Sequence, residues 1–437
     1  MKHTDFAPYP PMGWNSWDCY GAAVNEEQLL GNARYMKDNL LSYGWELVTC
    51  DIQWSEPDAH DVFYTPNAPL AMDEYSRLIP AEKRFPSSAG GKGFLPISRK
   101  IHEMGLKFGI HIMRGIPRQA IYQKTKIKGT DMTADMVGDP FSVCGWNSDM
   151  YGVNPHSRGA QAYYDSLFEL YAEWEIDFVK VDDIAVTGAY SHEAHRNGNM
   201  PGVAEIEMIH RAIMKCGRPI TLSLSPGPAP IEYAWMFSHN ANMWRLTNDV
   251  WDNWTAVEHM FERCETWQGR GGNGCWPDCD MLPFGHINVN NRGGDNMCRM
   301  THDEQVTMMT LWSIFRSPLI VGAELRDNDE FTLSLLTNAD ILRLNKHSHS
   351  PDQIFRTRDA AAWYSYEDDP AVGKCNLALF NLKNEPSEVS VDAADVGGLD
   401  IRGCGLYDMW KHKSAGTAGE KISAKLPAHG SVIYRIS

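Results

Sequence analysis

Ile176-Asp177-Phe178-Val179-Lys180-Val181-Asp182-Asp183 is the stretch on which the reading of this chain turns. It alternates like a buried strand and then ends in a cation and a carboxylate. Lys180 and Asp182 are two residues apart, so they leave the strand on the same face. A second strand-like stretch, Asn242-Met243-Trp244-Arg245-Leu246, runs on to Asp249. Polar residues gathered at the C-terminal ends of parallel strands are where barrel enzymes keep their chemistry. Two carboxylates presented this way point to the nucleophile and acid/base pair of a glycosidase. One such motif alone reads better as a structural Lys–Asp ion pair at a sheet edge; its repetition along the chain tips the balance toward a site.

Outward from this stretch, helix-like and strand-like segments alternate. Asn25 is placed to cap a helix with the stripe Leu29, Ala33, Met36 and Leu40, followed by the strand Leu47 to Asp51. Ile97, Ile101 and Met104 precede a strand from Leu106 to Met113. Tyr164, Leu167, Phe168, Tyr171 and Trp174 stripe the helix before the strand that ends at Asp182. Ile206, Ile209 and Ile213 lead to Ile220–Leu224. Thr301-His302-Asp303-Glu304 forms a capping box, and Pro318-Leu319-Ile320-Val321 closes the series. The fold class expected is α/β: a (β/α)8 TIM barrel over residues 1–345, followed by a C-terminal antiparallel β-sandwich over 346–437. The sandwich rests on short strands such as Ala360–Tyr366, Cys375–Leu382, Val389–Val391 and Ser431–Ile436 between Pro, Gly and Asp turns. Polar inserts after three strands, Ser55–Lys92, Gly115–Asn154 and Ile184–Val203, are long enough to expect that they line a site.

The 437 residues are 43% hydrophobic, enough for a sizeable core, and the net charge of −16 argues against nucleic acid or an anionic membrane as partner. A small glycoside or oligosaccharide fits better; homo-oligomerisation is left open. The N-terminus lacks a hydrophobic signal region, no apolar run is long enough for a bilayer, and ten cysteines are scattered without a disulfide framework. A cytoplasmic protein is the expectation. No Gly-x-Gly-x-x-Gly follows the first strand, and Gly90-Gly91-Lys92-Gly93 lacks phosphate-loop spacing. A metal site from His302, Asp303, Cys275 and Cys279 is disfavoured: the cysteines lack a second pair and the histidine falls in a helix cap.

Across nearly its whole length the chain resembles glycoside hydrolase family 27, the clan of α-galactosidases. Pro10-Pro11-Met12-Gly13-Trp14-Asn15-Ser16-Trp17 is close to the family's opening signature. Asp51-Ile52-Gln53-Trp54 resembles its Asp-Asp-Cys-Trp motif, and Lys107-Phe108-Gly109-Ile110-His111 its third strand. Lys180-Val181-Asp182-Asp183 resembles its nucleophile motif Lys-Tyr-Asp-Asn, and Trp244-Arg245 with Asp249 its acid/base motif. Trp276-Pro277-Asp278-Cys279-Asp280-Met281-Leu282, Leu311 to Leu319, Leu406-Tyr407-Asp408-Met409-Trp410 and His429-Gly430-Ser431 continue the match in order.

The resemblance implies that Asp182 is the nucleophile and Asp249 the general acid/base, with no metal or cofactor. Lys180 beside Asp182 is expected to favour its charged form. Retention of configuration calls for carboxyls ~5–5.5 Å apart. Trp17 would face the sugar ring, Asp51 would accept from its C4–C6 side, and Lys180 and Arg245 would bind O3 and O2. Trp17 as a core residue and Arg245 as a simple ion-pair partner of Asp249 stand as bland alternatives. Asp280, with Asp278, is placed either at the ligand or as an organiser of the rim. His111 stands where the family is usually aromatic and reads as a ligand contact or a satisfied core histidine.

Three departures matter. Ile52 replaces the carboxylate that in galactose-specific members holds the hydroxymethyl arm, which favours β-L-arabinopyranosides, galacto-configured but lacking that arm. Some weaker α-galactosidase activity is expected beside it. The small residues of Thr221–Pro228, Ser225 among them, either leave room for a C2 N-acetyl group or form a tight Pro–Gly loop with no extra volume, so α-galactosidase and α-N-acetylgalactosaminidase remain alternatives. Ile184 replaces a cysteine found in many secreted relatives. A non-catalytic sugar-binding barrel is the more distant alternative.

Overall fold

The computed structural model describes residues 2–185, 202–289, 294 and 296–437. Eight parallel strands form one curled sheet: β1 (Met12–Asn15), β2 (Leu47–Cys50), β3 (Lys107–Met113), β4 (Phe178–Asp182), β5 (Thr221–Ser225), β6 (Met243–Arg245), β7 (Trp276–Asp278) and β8 (Leu319–Val321). Neighbours follow chain order from β1 to β7, and β8 pairs with β1. The circle closes just past β7, where Leu282 bridges to Val321 and its N–H donates to Ile320 O at 2.7 Å. A helix follows each strand, beginning with α1 (Glu26–Asn39), α2 (Leu95–Glu103), α3 (Ala160–Glu173) and α4 (Val203–Cys216).

The strand alternation sorts side chains into two cores. Val48, Ile110, Val179, Leu222, Trp244 and Val321 belong to the large cluster shared with the helices. Leu47, Phe178, Met243, Trp276 and Ile320, on the opposite faces of their strands, form a separate apolar cluster inside the barrel. Moving two residues along from Leu47, Phe178 and Met243 gives Thr49, Lys180 and Arg245, and two more along β2 and β4 give Asp51 and Asp182. An apolar plug thus underlies a polar upper layer, the arrangement that places chemistry at the strands' C-terminal face. Pairing register sets heights within that layer. His111, Lys180 and Ser223 share one level; Met113, Asp182 and Ser225 share the next.

The expected helix caps are present. Asn25 Oδ1 accepts from Gln28 N at 3.0 Å, and Thr301 Oγ1 accepts from Glu304 N at 3.2 Å at the start of the helix His302–Phe315. Each satisfies an N–H that the helix leaves without a partner. No helix among the described residues is long and apolar enough to cross a membrane.

The C-terminal part is antiparallel. Strands β9 (Ser348–Arg356), β10 (Ala360–Glu367), β11 (Cys375–Asn381), β13 (Gly405–Asp408), β14 (Lys413–Thr417) and β16 (Ser431–Ile436) form a six-stranded sheet in the order β9-β10-β11-β16-β13-β14. β12 (Ser387–Asp392) pairs with β15 (Lys421–Leu426) in a second sheet. One face of the larger sheet, with Leu377, Leu379 and Val432, packs with Val389, Val391 and Ile422 in the sandwich core. The other face, with Trp363, Phe380 and Ile433, joins the barrel's core; Phe380 meets Phe261 edge-on with ring centroids 5.0 Å apart. Burying apolar residues on both faces fixes the sandwich against the barrel's outer helices.

Of the three inserts, Ser55–Lys92 and Gly115–Asn154 are described in full. The second carries a three-stranded antiparallel unit, Ile116–Pro117, Gly138–Val143 and Met150–Val153. The third, expected over Ile184–Val203, lies mostly outside the described residues.

Candidate active site

A cavity of about 490 Å³ opens at the C-terminal end of the barrel strands. Trp17, Asp51, Ile52, Lys180, Asp182, Ser225, Arg245, Asp249 and Asp280 all line it. Residues from six strand ends, far apart in sequence, therefore meet in one hollow.

Asp182, the last residue of β4, is held from two sides. His111 Nε2 lies 3.1 Å from its Oδ2, and the backbone N–H of Asp183 donates to its Oδ1 at 2.8 Å. Burial alone would raise its pKa. The hydrogen bond and electrostatic pull of His111, with Lys180 and Arg245, outweigh that and bring it to about 2. Asp182 is accordingly a carboxylate over the working pH range.

Asp51 is buried just past β2. Its Oδ2 accepts from Asn15 Nδ2 at 2.7 Å and Lys180 Nζ at 3.0 Å, and its Oδ1 from Ile52 N at 2.9 Å. Burial again pushes its pKa upward, but Lys180, His111 and Asn15 prevail and hold it below the ordinary value. Lys180 remains firmly protonated: burial works against its charge, and Asp51 and Asp182 more than compensate.

The expectation that Lys180 favours the charged form of Asp182 holds, while its hydrogen bond goes to Asp51. Lys180 stands one level below Asp182, and its long stem reaches across β3 toward the end of β2. His111 does not line the cavity. It is 1% exposed, with Nε2 also 4.0 Å from Asp51 Oδ1, so its ring ends on two carboxylates that stand between it and the hollow.

The opposite wall comes from β6 and the loops beyond β6 and β7. Arg245 Nη1 donates to Asp249 Oδ1 at 2.9 Å, and its Nη2 lies 3.2 Å from Asp280 Oδ2. Asp280 Oδ2 also accepts from Val250 N at 2.7 Å, tying the Asp249 loop to the β7 loop. Asp278 stays beneath, accepting from Asp280 N at 2.9 Å; burial and the charge of Asp280 push it up to about 7 against the pull of Arg245. The alternatives left open for Arg245 and Asp280 are thus combined: each is part of the ion-pair frame and each faces the cavity.

Ile52 is 5% exposed and packs with Met113, Cys144 and Met150, with Trp17 and Tyr64 against the same cluster. The wall next to Asp51 is therefore apolar. Tyr64 and Trp146, which the sequence reading did not single out, also line the cavity. Tyr64 lies parallel to Trp17, centroids 6.0 Å apart and planes 11° apart, and Trp146 follows 5.4 Å from Tyr64. Both come from the two long inserts. Insert length was the only signal that could have found them. Trp17 shares the two bland and functional readings: it packs against the inner core cluster and still faces the cavity.

Among the described residues, no group of three or more His, Cys, Asp or Glu side chains is arranged to hold a metal ion. Cys279 Sγ sits 3.6 Å from Cys264 Sγ, Cys275 Sγ donates to Ser238 O at 3.3 Å, and all ten thiols are free.

This geometry agrees with what comparison with known proteins finds. The family described as alpha galactosidase A matches residues 149–347, and the alpha galactosidase C-terminal beta sandwich domain matches residues 370–436. The solved structure of a GH27 β-L-arabinopyranosidase from Geobacillus stearothermophilus is 51% identical, with a TM-score of 0.94, and the match covers 100% of this chain and 98% of that one. The chain belongs to glycoside hydrolase family 27. It is a glycoside hydrolase of that family, barrel and sandwich included. An aspartate-to-alanine variant of the Geobacillus enzyme, in complex with arabinose, matches equally well, with a TM-score of 0.94. A protein put forward as an α-N-acetylgalactosaminidase from Bacillus halodurans is 48% identical, with a TM-score of 0.87 and 98% and 97% of the two chains covered. An α-galactosidase from Cyamopsis tetragonoloba is 24% identical over 428 residues, 97% of this chain and 85% of that protein.

Proposed function

We propose that this family 27 hydrolase is a retaining exo-β-L-arabinopyranosidase with weaker α-galactosidase activity. The observation that carries the sugar assignment is Ile52, at the cavity wall beside Asp51 and backed by Met113, Cys144 and Met150. A hydroxymethyl arm turned toward that wall would bury an O6 hydroxyl without an acceptor, a loss of ~1–3 kcal/mol. L-arabinopyranose shares the ring hydroxyl configuration of galactose and has no such arm. The 51% identity to the Geobacillus arabinopyranosidase supports the same choice.

The mechanism follows from the two walls. Asp182, ionised and held by His111 and the Asp183 N–H, attacks the anomeric carbon as the bond to the leaving oxygen breaks. Asp249, oriented by Arg245, gives its proton to that oxygen. The product leaves, and the glycone remains as an ester on Asp182. Asp249 then takes a proton from water as the water oxygen attacks the same carbon and the ester bond breaks, so two inversions give net retention. Lys180 and Asp51 bind the glycone hydroxyls, Arg245 and Asp280 the opposite edge, and the Trp17 ring its apolar face. His111 acts by positioning Asp182; with the proton on Nε2 it donates to the carboxylate. Catalysis is assigned to residues 1–345, where every residue lining the cavity lies, and structural support to residues 346–437.

The deciding experiment compares kcat/KM on nitrophenyl β-L-arabinopyranoside, α-D-galactopyranoside and α-N-acetylgalactosaminide, with NMR of the first-formed anomer. The arabinopyranoside should be fastest and the first product should keep its configuration. Faster cleavage of the galactoside would reject the Ile52 argument. The N-acetylgalactosaminide arm tests the second reading, which draws on Ser225, Pro226 and Gly227 lining the cavity and on the Bacillus halodurans relative.

A further inference from the structure

Asp18 stands outside the two walls just described, yet it lines the same cavity. It follows Trp17 in the short helical turn Trp17–Tyr20 after β1 and is 4% exposed. Its Oδ2 is buried and has no hydrogen-bond partner among the described residues. Leaving a buried carboxyl oxygen unpaired is unfavourable, and such groups in native proteins call for an explanation. The seat around it is built closely. Gly322, directly after β8, approaches so near that a Cβ there would lie 2.0 Å from Asp18 Oδ2. The backbone is pinned as well: Asn288 N donates to Asp18 O at 2.7 Å.

We propose that Asp18 is a further substrate-binding residue, donating a hydrogen bond from its carboxyl to an oxygen of the bound pyranoside. The inference rests on the glycoside reading of the cavity. Asp182, Asp51 and Asp280 accept hydrogen bonds from protein donors already, so their role toward a sugar is to accept from its hydroxyls. The ring oxygen can only accept, and it needs a donor of its own, since Asp249 serves the glycosidic oxygen. A neutral carboxylic acid supplies one in a place where an added cation would be drawn to the neighbouring carboxylates. Burial, followed by the charges of Asp280 and Asp249, pushes Asp18 well above the ordinary carboxylate range; Lys180 opposes this and Asp51 adds to it. These surroundings favour the protonated, donating form of the carboxyl.

The test compares Asp18→Asn, which keeps shape and a donor, with Asp18→Leu, which keeps only bulk. kcat, KM and the inhibition constant of free L-arabinose are measured, along with thermal unfolding. Asp18→Leu should raise KM and the inhibition constant by roughly 10- to 100-fold, whereas Asp18→Asn should lose no more than about threefold. A general loss of folding would lower kcat and the melting temperature without this pattern. Gly322→Ala places a methyl 2.0 Å from Asp18 Oδ2, displacing the carboxyl, and should reproduce the KM effect with Asp18 still present. Wild-type constants in Asp18→Leu would overturn the proposal; equal damage in the Asn and Leu variants would overturn hydrogen-bond donation. All variants are compared on whichever pyranoside the wild type cleaves fastest, so an error in the sugar assignment leaves the Asp18 result readable.

Discussion

The two walls of the cavity carry the same kind of residue in opposite settings. Asp182 ends a strand, its side chain is 23% exposed, and both its oxygens accept hydrogen bonds. Asp249 sits four residues beyond the end of β6, and its side chain is 60% exposed. A nucleophile profits from a fixed aim and a permanent charge, which a strand end and a histidine behind it provide. A proton carrier must serve a departing oxygen and then an incoming water, so a loop position with access to solvent suits it. On the proposed assignment, one barrel gives two aspartates different work by where the backbone leaves them.

The contrast is broken most severely by removing the charges. Asp182→Asn should lower kcat/KM by roughly 10⁴-fold or more, whatever the leaving group. Asp249→Asn should cost on the order of 10²- to 10⁴-fold with a poorly activated leaving group and far less with dinitrophenolate, which departs without a proton. Measuring both variants on a leaving-group series checks this; parallel losses would mean that the two residues do not divide the chemistry.

A smaller effect sharpens the Asp51 side. Ile52→Asp should swing the ratio of galactoside to arabinopyranoside kcat/KM toward galactoside by about 10- to 100-fold, the worth of one buried acceptor. An unchanged ratio would show that another residue meets the C6 position. Smaller again is His111→Phe, expected to lower kcat about tenfold with little change in KM, and to move the acid limb of the rate profile to higher pH. A rise in KM with kcat intact would instead make His111 a ligand contact.

The smallest expected response comes from mild acid on the wild type. The Asp182 pKa is depressed from the ordinary 3.8 to about 2 in the folded protein. The stability linked to it is therefore fully present above about pH 4 and lost only as pH falls from there through 2. Denaturant unfolding of wild type and Asp182→Asn should differ by the same amount at pH 7 and pH 5. A difference that shrinks between those values would place the Asp182 pKa well above 2.

Much of this was legible along the chain because the barrel repeats a short-range rule. The alternation that makes Phe178 face the inner plug also carries Lys180 and Asp182 inward, and Asn25 and Thr301 announce helix starts through their own side chains. His111 was visible as an inward residue, but its partners were not: strand periodicity gives a face, whereas the atoms that end beside the ring depend on β2 and β4. Asp18, Tyr64 and Trp146 carried no periodic signal at all. They occupy loops and a single helical turn, where position follows from packing against Gly322, Trp17 and the inserts.

By itself the sequence determined the alternating barrel, the sandwich that follows it, and the carboxylates, cation and isoleucine available at the strand ends, since periods of 2.0 and 3.6 residues and chemical identity are local properties. Tertiary structure alone decided which groups pair. Lys180 goes to Asp51, His111 supports Asp182, and Arg245 links Asp249 to Asp280, because these contacts join residues brought together only when the sheet curls and its register sets each side chain's height.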